Sequence, residues 1–327
     1  MDTSLRTPQE APTARAGGLA LMLGSALSNQ TGAAIGALAF PVLGPVGVVA
    51  VRQWIAGIVL LAVGRPPLRS LTRREWLPVL GLAAVFAAMN VSLYTAIDRI
   101  GLGLAVTLEF LGPLGVAVAG ALTAGPRGAR RRMTVACAVL AAAGVVVLTR
   151  PQPTTDHLGV ALGLLAALCW ACYILLNRTL GRRLPGITGS AAAGAVSALV
   201  YVPVGIAVIV AHPPTPFALA CAAAAGLLSS VVPFLGDLLA LRRVPAHLFG
   251  VVMSVHPVFA AAIGFVVLGE ALAAVDVLAI VLIVAANVGV IIVSAGPQAP
   301  TVSVARHRPG ATPWWRLKAA AKENSEA

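Results

Sequence analysis

Long apolar runs alternate with short polar segments along almost the whole chain, from about residue 18 to residue 294. Ten of these runs have the length that a helix needs to cross a bilayer, about 20 residues at about 1.5 Å per residue. Their richness in Ala and Leu favours helices, and neighbouring helices in lipid tolerate the glycines and prolines within them. The predicted spans are 18–40, 46–63, 76–97, 102–122, 134–149, 158–177, 190–210, 217–239, 246–268 and 271–294.

Composition supports a membrane protein and excludes several other classes. The 327 residues are 59% hydrophobic and only 10% charged, whereas about a quarter of the residues in an ordinary soluble domain are charged. The mean hydropathy is +0.93. These values exclude a disordered chain, and four cysteines within apolar stretches do not make a disulfide scaffold. We therefore predict an all-α polytopic membrane protein whose surroundings are the lipid bilayer.

The formal net charge of +12 follows the predicted loops. All but three of the 23 Lys and Arg residues lie in the two termini and in alternate loops, and the exceptions are Arg52, Arg99 and Arg150. Cytoplasmic loops of membrane proteins retain positive charge, so both termini are predicted to be cytoplasmic. The basic residues thus indicate orientation, and we predict no nucleic-acid partner.

The segment 150–157 resembles a linker and divides the ten spans into five and five. If the halves are related copies, an odd number of spans in each requires the second copy to be inverted. Pro113 with Gly120, and Pro257 with Gly264, repeat one spacing in the two halves. The predicted regions are a disordered N-terminus (1–16), two five-helix repeats (17–149 and 158–294) joined by an external linker (150–157), and a basic disordered tail (295–327).

Ionisable side chains within spans are functional candidates because each costs several kcal/mol at bilayer depth. From the predicted span ends, Arg52 and Glu109 both lie about 10 Å below the outer surface, and Asn90 lies at the same level. Tyr94 shares a helix face with Asn90, one turn nearer the outside. The remaining ionisable residues within spans are Asp237, His256 and Asp276.

Two prolines are predicted to break spans next to polar groups. Pro113 lies four residues after Glu109 and has no N–H, so the Glu109 carbonyl loses its helical partner. A carboxylate beside a free carbonyl suits an ammonium group. Pro257 does the same for the Met253 carbonyl, beside His256.

Structural interpretations stand beside these functional ones. Arg52 and Glu109 bind substrate charges, or they neutralise each other and fix helix register. Glu109, His256 and Asp237 are the candidates for proton coupling; His256 is otherwise a packing histidine, and Asp237 a local partner of the basic loop that follows it.

Further polar and aromatic residues line a cavity or form hydrogen bonds between helices, two alternatives that the sequence leaves open. Trp170 and Tyr173 lie on one face of the sixth span, and Asn29 with Gln30 interrupts the first. We find no metal-ligand cluster, cofactor motif or catalytic constellation in the sequence, so we predict neither a cofactor nor an enzyme.

Several stretches resemble the EamA-type drug/metabolite transporter superfamily, and within it the threonine/homoserine exporter branch of bacterial inner membranes. They include Gly103–Leu114 around Glu109, Ala88-Met-Asn90, Leu168–Leu175 around Trp170 and Tyr173, and Phe249–Glu270. The resemblance implies ten helices in two inverted repeats, a central cavity, and efflux of small solutes driven by proton entry. It places Arg52, Asn90, Glu109, Trp170 and Tyr173 on positions that match motifs of the branch.

Our first hypothesis is therefore a proton-coupled exporter of small amino acids in the bacterial inner membrane. A second copy of the chain, in a homodimer, is a further candidate partner. Arg52 would hold the substrate carboxylate, and Glu109 its ammonium group or the antiported proton. The alternative hypothesis keeps the carrier and changes the substrate to organic cations or another small metabolite. A membrane enzyme or receptor would need a catalytic or ligand-binding loop, which the short loops do not provide.

Overall fold

The computed structural model describes residues 12–66, 68–124, 128–148, 156–184, 187–240 and 252–294, and its regular elements are all helical within these ranges. The described residues belong to one compact unit that ends at Ser294. The helices are α1 (Pro12–Ala37), α2 (Phe40–Gly64), α3 (Arg73–Ile100), α4 (Leu102–Glu109), α5 (Leu111–Ala124), α6 (Ala129–Leu148), α7 (His157–Gly181), α8 (Thr188–Ala211), α9 (Pro216–Gly226), α10 (Val232–Ala240), α11 (His256–Ile263) and α12 (Ala274–Ser294).

Three short elements complete the described part of the chain. A 3₁₀ turn, Leu68–Ser70, precedes α3, and two π-helical segments, Leu227–Val231 and Gly264–Leu268, follow α9 and α11. The described helices lie on the predicted apolar runs, which confirms the all-helical class. The predicted tail, most of the linker and residues 241–251 lie outside the described residues. α1 begins at Pro12, within the N-terminal segment predicted to be disordered.

Capping residues explain where several helices begin. The Asp156 carboxylate accepts the Gly159 N–H at 2.8 Å and starts α7, and this bond holds the pKa of Asp156 below its usual value. At the start of α3, the Thr72 N–H and hydroxyl donate to the Glu75 carboxylate. Thr215 caps α9, and Pro216 follows as its first residue.

Several predicted spans are interrupted. Gly44 (φ 64°) kinks α2 just before Pro45, so the straight part of that helix begins where the second predicted span does. The fourth predicted span divides at Phe110 into α4 and α5, and Pro113 is the third residue of α5. The ninth divides before α11, of which Pro257 is the second residue. Prolines fit the first turn of a helix, where an N–H has no helical partner.

Helices from the two halves of the chain pack closely against one another. α2 packs on α8, α3 on α7, α4 on α11, α6 on α12, and α1 on α9 and α10. Glycines permit these close approaches, as small residues do at helix interfaces in membranes. A Cβ on Gly144 of α6 would lie only 2.8 Å from the Ile283 Cγ1 of α12.

Six helical stretches in the described residues are long and apolar enough to cross a membrane, judged by length and composition. They carry all six predicted substrate-binding residues. Two shorter apolar helices, His256–Leu268 and Ala274–Val290, lie in the ninth and tenth predicted spans. These findings support a polytopic membrane protein, whereas the number of spans and their orientation stay predictions. The six stretches are Phe40–Gly64, Arg73–Ile100, Leu102–Gly120, His157–Gly181, Thr188–Ala211 and Pro216–Gly236.

Replacing Gly112 with alanine should destabilise the protein. A Cβ at this position would collide with the Ala167 carbonyl oxygen and lie 3.1 Å from the Trp170 Cβ, so α5 must move away from α7. Overpacking of this kind typically costs about 1–3 kcal/mol. Thermal unfolding of the purified protein in detergent measures the change. Gly115→Ala is the matched control because a Cβ there meets nothing within 4 Å, and equal melting temperatures for the two variants would refute a tight contact.

Candidate functional site

A cavity of about 180 Å³, which we call the central cavity, lies between α1, α2, α3, α4, α7 and α11. It brings together residues that are distant along the chain. Its lining includes all six residues predicted to bind substrate, together with His256, one of the proton-coupling candidates. These seven residues are Arg52, Asn90, Tyr94, Glu109, Trp170, Tyr173 and His256.

Arg52 is held in a fixed position on one side of the central cavity. Its Nε donates to the Ser230 Oγ at 2.9 Å, and its Nη2 donates to the Ser229 carbonyl oxygen at 3.1 Å. Both serines lie in the π-helical segment Leu227–Val231, and π segments inside helices often occur at functional sites. A guanidinium has about five N–H donors, so these bonds leave donors available to an anion in the cavity.

The Tyr94 ring packs against the Arg52 guanidinium, and both side chains line the central cavity. The Arg52 Cζ is 4.9 Å from the centroid of the Tyr94 ring, close enough for a cation–π interaction. Tyr94 is completely buried, and its hydroxyl has no hydrogen-bond partner among the described residues. An unsatisfied buried hydroxyl costs about 1–3 kcal/mol, so this group is suited to bind a ligand.

Glu109 is the last residue of α4, immediately before the helix break at Phe110. It is 7% exposed, and its side chain reaches the central cavity. Arg52 acts on it electrostatically, but no ion pair within 4.0 Å joins the two in the described part of the chain. The sequence left open whether the two side chains bind substrate charges or neutralise each other. In the structure they line one cavity without direct contact, which leaves space between the charges.

His256 is linked to the first helix of the chain. The Gln30 amide Nε2 lies 3.0 Å from the His256 Nδ1, and as placed it donates to that nitrogen. The proton of a neutral ring is then on Nε2. Nε2 is buried and has no hydrogen-bond partner among the described residues. His256 is therefore tied at one nitrogen and unpaired at the other, beside the central cavity.

Aromatic rings form one side of the central cavity. Phe110 contacts Trp170 edge-on, with ring centroids 4.7 Å apart, and lies 5.4 Å from the His256 ring. Because Phe110 is at the break between α4 and α5, the break itself contributes to the cavity lining. Asn90 also lines the cavity, but its amide nitrogen donates to the Phe86 carbonyl of its own helix at 2.8 Å.

Two of the predicted ionisable candidates, Asp237 and Asp276, are not among the described residues that line the central cavity. Asp237 belongs to α10, and its side chain lies outside the described residues. Asp276 is in the first turn of α12, where its carboxylate accepts the Ala273 N–H at 3.0 Å, so its role there is helix capping.

Sequence reasoning missed Ser229, Ser230 and Phe110. The serines hold Arg52, and their position as an adjacent polar pair in the middle of an apolar span was a signal that could have identified them. Phe110 carried no such signal, because one aromatic residue among many apolar ones marks neither a cavity nor a break. Gln30, predicted to line a cavity or bond another helix, does both.

A bundle of apolar helices around a cavity lined by an arginine, a carboxylate and unpaired polar groups is an arrangement typical of membrane transporters for small molecules. The EamA-like transporter family matches residues 157–293. The threonine/homoserine exporter RhtA of Salmonella typhimurium (strain LT2) is 33% identical over 269 residues, 80% of this chain and 87% of that protein. RhtA of Escherichia coli (strain K12) is 32% identical over 278 residues, 83% of this chain and 90% of that protein. The chain belongs to the EamA-like transporter family.

A solved crystal structure also matches this chain. Its TM-score is 0.55 at 21% identity, and the match covers 85% of this chain and 97% of that one. This likeness shows the fold alone. With the exporter relatives and the six apolar helices, it is consistent with a multi-pass protein of the bacterial inner membrane. The family and the relatives support a small-molecule exporter.

Proposed function

We propose that this protein exports small amino acids of the threonine/homoserine kind by proton antiport with alternating access. The observation that carries the proposal is that Arg52 and Glu109 line the same cavity without pairing. A zwitterionic amino acid has a carboxylate and an ammonium group on one carbon. It can satisfy the guanidinium with the first and the carboxylate with the second.

The unpaired polar atoms support a hydroxylated substrate. The Tyr94 hydroxyl and the His256 Nε2 are both buried beside the central cavity without partners among the described residues. A site built to hydrogen-bond a substrate hydroxyl strongly rejects the analogue that lacks it, because the groups of the site then stay unpaired. Threonine should therefore be preferred to valine, which has nearly the same shape but no hydroxyl.

The size of the central cavity supports a small substrate over a bulky organic cation. Pockets for drug-sized ligands have volumes of about 300–1,000 Å³, and the central cavity has about 180 Å³. A cation alone would also leave the Arg52 donors without an anion. Both arguments favour an amino acid over the alternative substrate class.

The proposed architecture is ten spans in two inverted repeats with both termini cytoplasmic. The helix pairing supports it, when α4 with α5 counts as one span and α9 with α10 as another. Two related halves of five spans each should repeat their contacts when span 1 is exchanged with span 6, span 2 with span 7, and so on. Under this exchange the packed pair of spans 3 and 6 becomes the pair of spans 8 and 1, which also pack. The pairs 2 with 7, 4 with 9 and 5 with 10 map onto themselves. Such a pattern is expected of two related halves.

In the proposed cycle, Glu109 exchanges a proton for the ammonium group of the substrate. Protonated Glu109 faces inward, releases its proton and binds substrate, and the carrier reopens outward. Glu109 is at the end of α4, next to the helix break, where a discontinuous helix can rearrange during transport. His256 is the second proton-coupling candidate because it has an unpaired ring nitrogen beside the same cavity.

Transport by purified protein in proteoliposomes tests the proposal. Vesicles loaded with radiolabelled threonine, valine or an organic cation are diluted into buffer that imposes a pH gradient, with protein-free vesicles as the control. We expect efflux of threonine that depends on the gradient, with valine at least about tenfold slower. Efflux of the organic cation with none of threonine would contradict the proposed substrate class.

A further inference from the structure

A second cavity, of about 220 Å³, lies next to the central cavity. Its lining comes from the C-terminal half of α2, the N-terminal half of α3 and the start of α8, whereas the central cavity reaches the C-terminal half of α3. The two cavities are thus displaced from each other along the helices. In the proposed topology the second cavity is on the cytoplasmic side, next to the arginine-rich segments 64–75 and 178–189.

Three side chains line both cavities: Arg52, Phe86 and Tyr173. The rings of Phe86 and Tyr173 are tilted by 31° with their centroids 6.0 Å apart, so they form a partition between the two spaces. Arg52 is held by Ser230 from the second cavity, and it stacks on Tyr94 from the central cavity. Its guanidinium is therefore at the junction of the two cavities.

The second cavity can hold one end of an amino acid better than the other. Arg52 supplies positive charge, Ser190, Ser229 and Ser230 supply hydroxyl groups, and small residues such as Ala193 leave space. Among the described residues that line it there is no carboxylate. A substrate there would have its carboxylate held and its ammonium group unpaired, whereas the central cavity adds Glu109.

We infer that the second cavity is an entry subsite for a small zwitterionic amino acid, in which Arg52 already holds the carboxylate. The substrate body then passes Phe86 and Tyr173 into the central cavity, where its ammonium group meets Glu109. Arg52 is the anchor throughout, and the body of the substrate turns about it. This inference rests on the proposed function and adds a second binding site to it.

Cysteine labelling with and without substrate tests the inference. Ala193→Cys and Ser190→Cys report on the second cavity, and Ala33→Cys reports on the central cavity. The four native cysteines are first replaced by serine or alanine. Inside-out membrane vesicles are treated with a water-soluble maleimide, and the labelling rate is measured with and without threonine. Two reporters in the second cavity guard against one variant failing to fold.

We expect the reagent to reach the second cavity from the cytoplasmic side. Threonine at ten times its Kd should slow labelling at the second-cavity positions about tenfold by mass action. Adding Arg52→Ala should remove protection at Ala33→Cys and at the second-cavity positions together. Protection at Ala33→Cys without protection at Ala193→Cys or Ser190→Cys would overturn the inference, as would failure of the reagent to reach both second-cavity positions.

Threonine transport is measured in parallel in the same vesicles, which separates the two proposals. Intact threonine transport without protection in the second cavity overturns the entry subsite alone. Absence of threonine transport overturns the proposed function and the subsite with it.

Discussion

Replacing Arg52 with alanine should abolish threonine export while the protein stays folded. The change removes the guanidinium that both cavities share and leaves the substrate carboxylate without a partner. Truncating one member of a buried, hydrogen-bonded charge pair costs about 2–5 kcal/mol. The Kd for threonine should therefore rise about 30-fold or more, measured by binding of radiolabelled threonine to purified protein.

Two control variants separate this result from general damage. Arg52→Lys keeps the charge but loses the planar fork that binds Ser229, Ser230 and a carboxylate together, so it should rescue binding only in part. Arg99→Ala removes an arginine of an exposed ion pair with Asp156, and exposed pairs of this kind contribute little to stability. If Arg52→Ala binds threonine like Arg99→Ala, Arg52 is not the anchor. Retained export of an organic cation by Arg52→Ala would support the alternative substrate class.

Replacing Glu109 with glutamine should abolish export driven by a pH gradient. The substitution keeps the shape of the side chain but removes the charge that attracts the ammonium group and the capacity to carry a proton. Losing a hydrogen bond to a charged group costs about 1.5–3 kcal/mol, which predicts at least about tenfold weaker threonine binding. Efflux from loaded proteoliposomes should stop responding to the external pH.

Asp98→Asn is the control for this variant, because it neutralises a carboxylate that is exposed at the end of α3. It should export threonine at the wild-type rate and keep the response to pH. Glu109→Gln exporting threonine as well as wild type under the same imposed gradient would remove Glu109 from the coupling mechanism.

The helices were predictable because apolar runs of spanning length have few other stable outcomes. The apolar runs and the prolines placed most helix ends within a few residues. The breaks were only partly predictable: Pro113 indicated one near Glu109, whereas the π segment Leu227–Val231 has no proline within it and was missed.

The residues of the site were predictable from the free-energy cost of placing a charge within a membrane span, but their contacts were not. Arg52 and Glu109 stood out because a charge within a span is costly. Both line the central cavity, whereas their common depth in the bilayer stays a prediction. Whether they touch depends on how α2 and α4 are rotated and on what else reaches them. Ser229 and Ser230, in the π segment that precedes α10, bind Arg52, which makes no direct ion pair with Glu109. These hydrogen bonds join residues far apart along the chain, and residue spacing alone does not predict them.

The central claim is that Arg52 binds the substrate carboxylate and Glu109 binds its ammonium group. A thermodynamic cycle that combines changes to the ligand with changes to these two residues tests it most directly. Threonine, threonine amide without the carboxylate, and 3-hydroxybutanoate without the ammonium group are each titrated against wild type, Arg52→Ala and Glu109→Gln. If Arg52 holds the carboxylate, the affinity of Arg52→Ala should be the same for threonine and for threonine amide. If Glu109 holds the ammonium group, the affinity of Glu109→Gln should be the same for threonine and for 3-hydroxybutanoate. Each matched pair should then show a coupling of at least about tenfold, or about 1.4 kcal/mol. Effects that add to within about twofold in both pairs would contradict the account, because neither side chain would then contact the charge assigned to it.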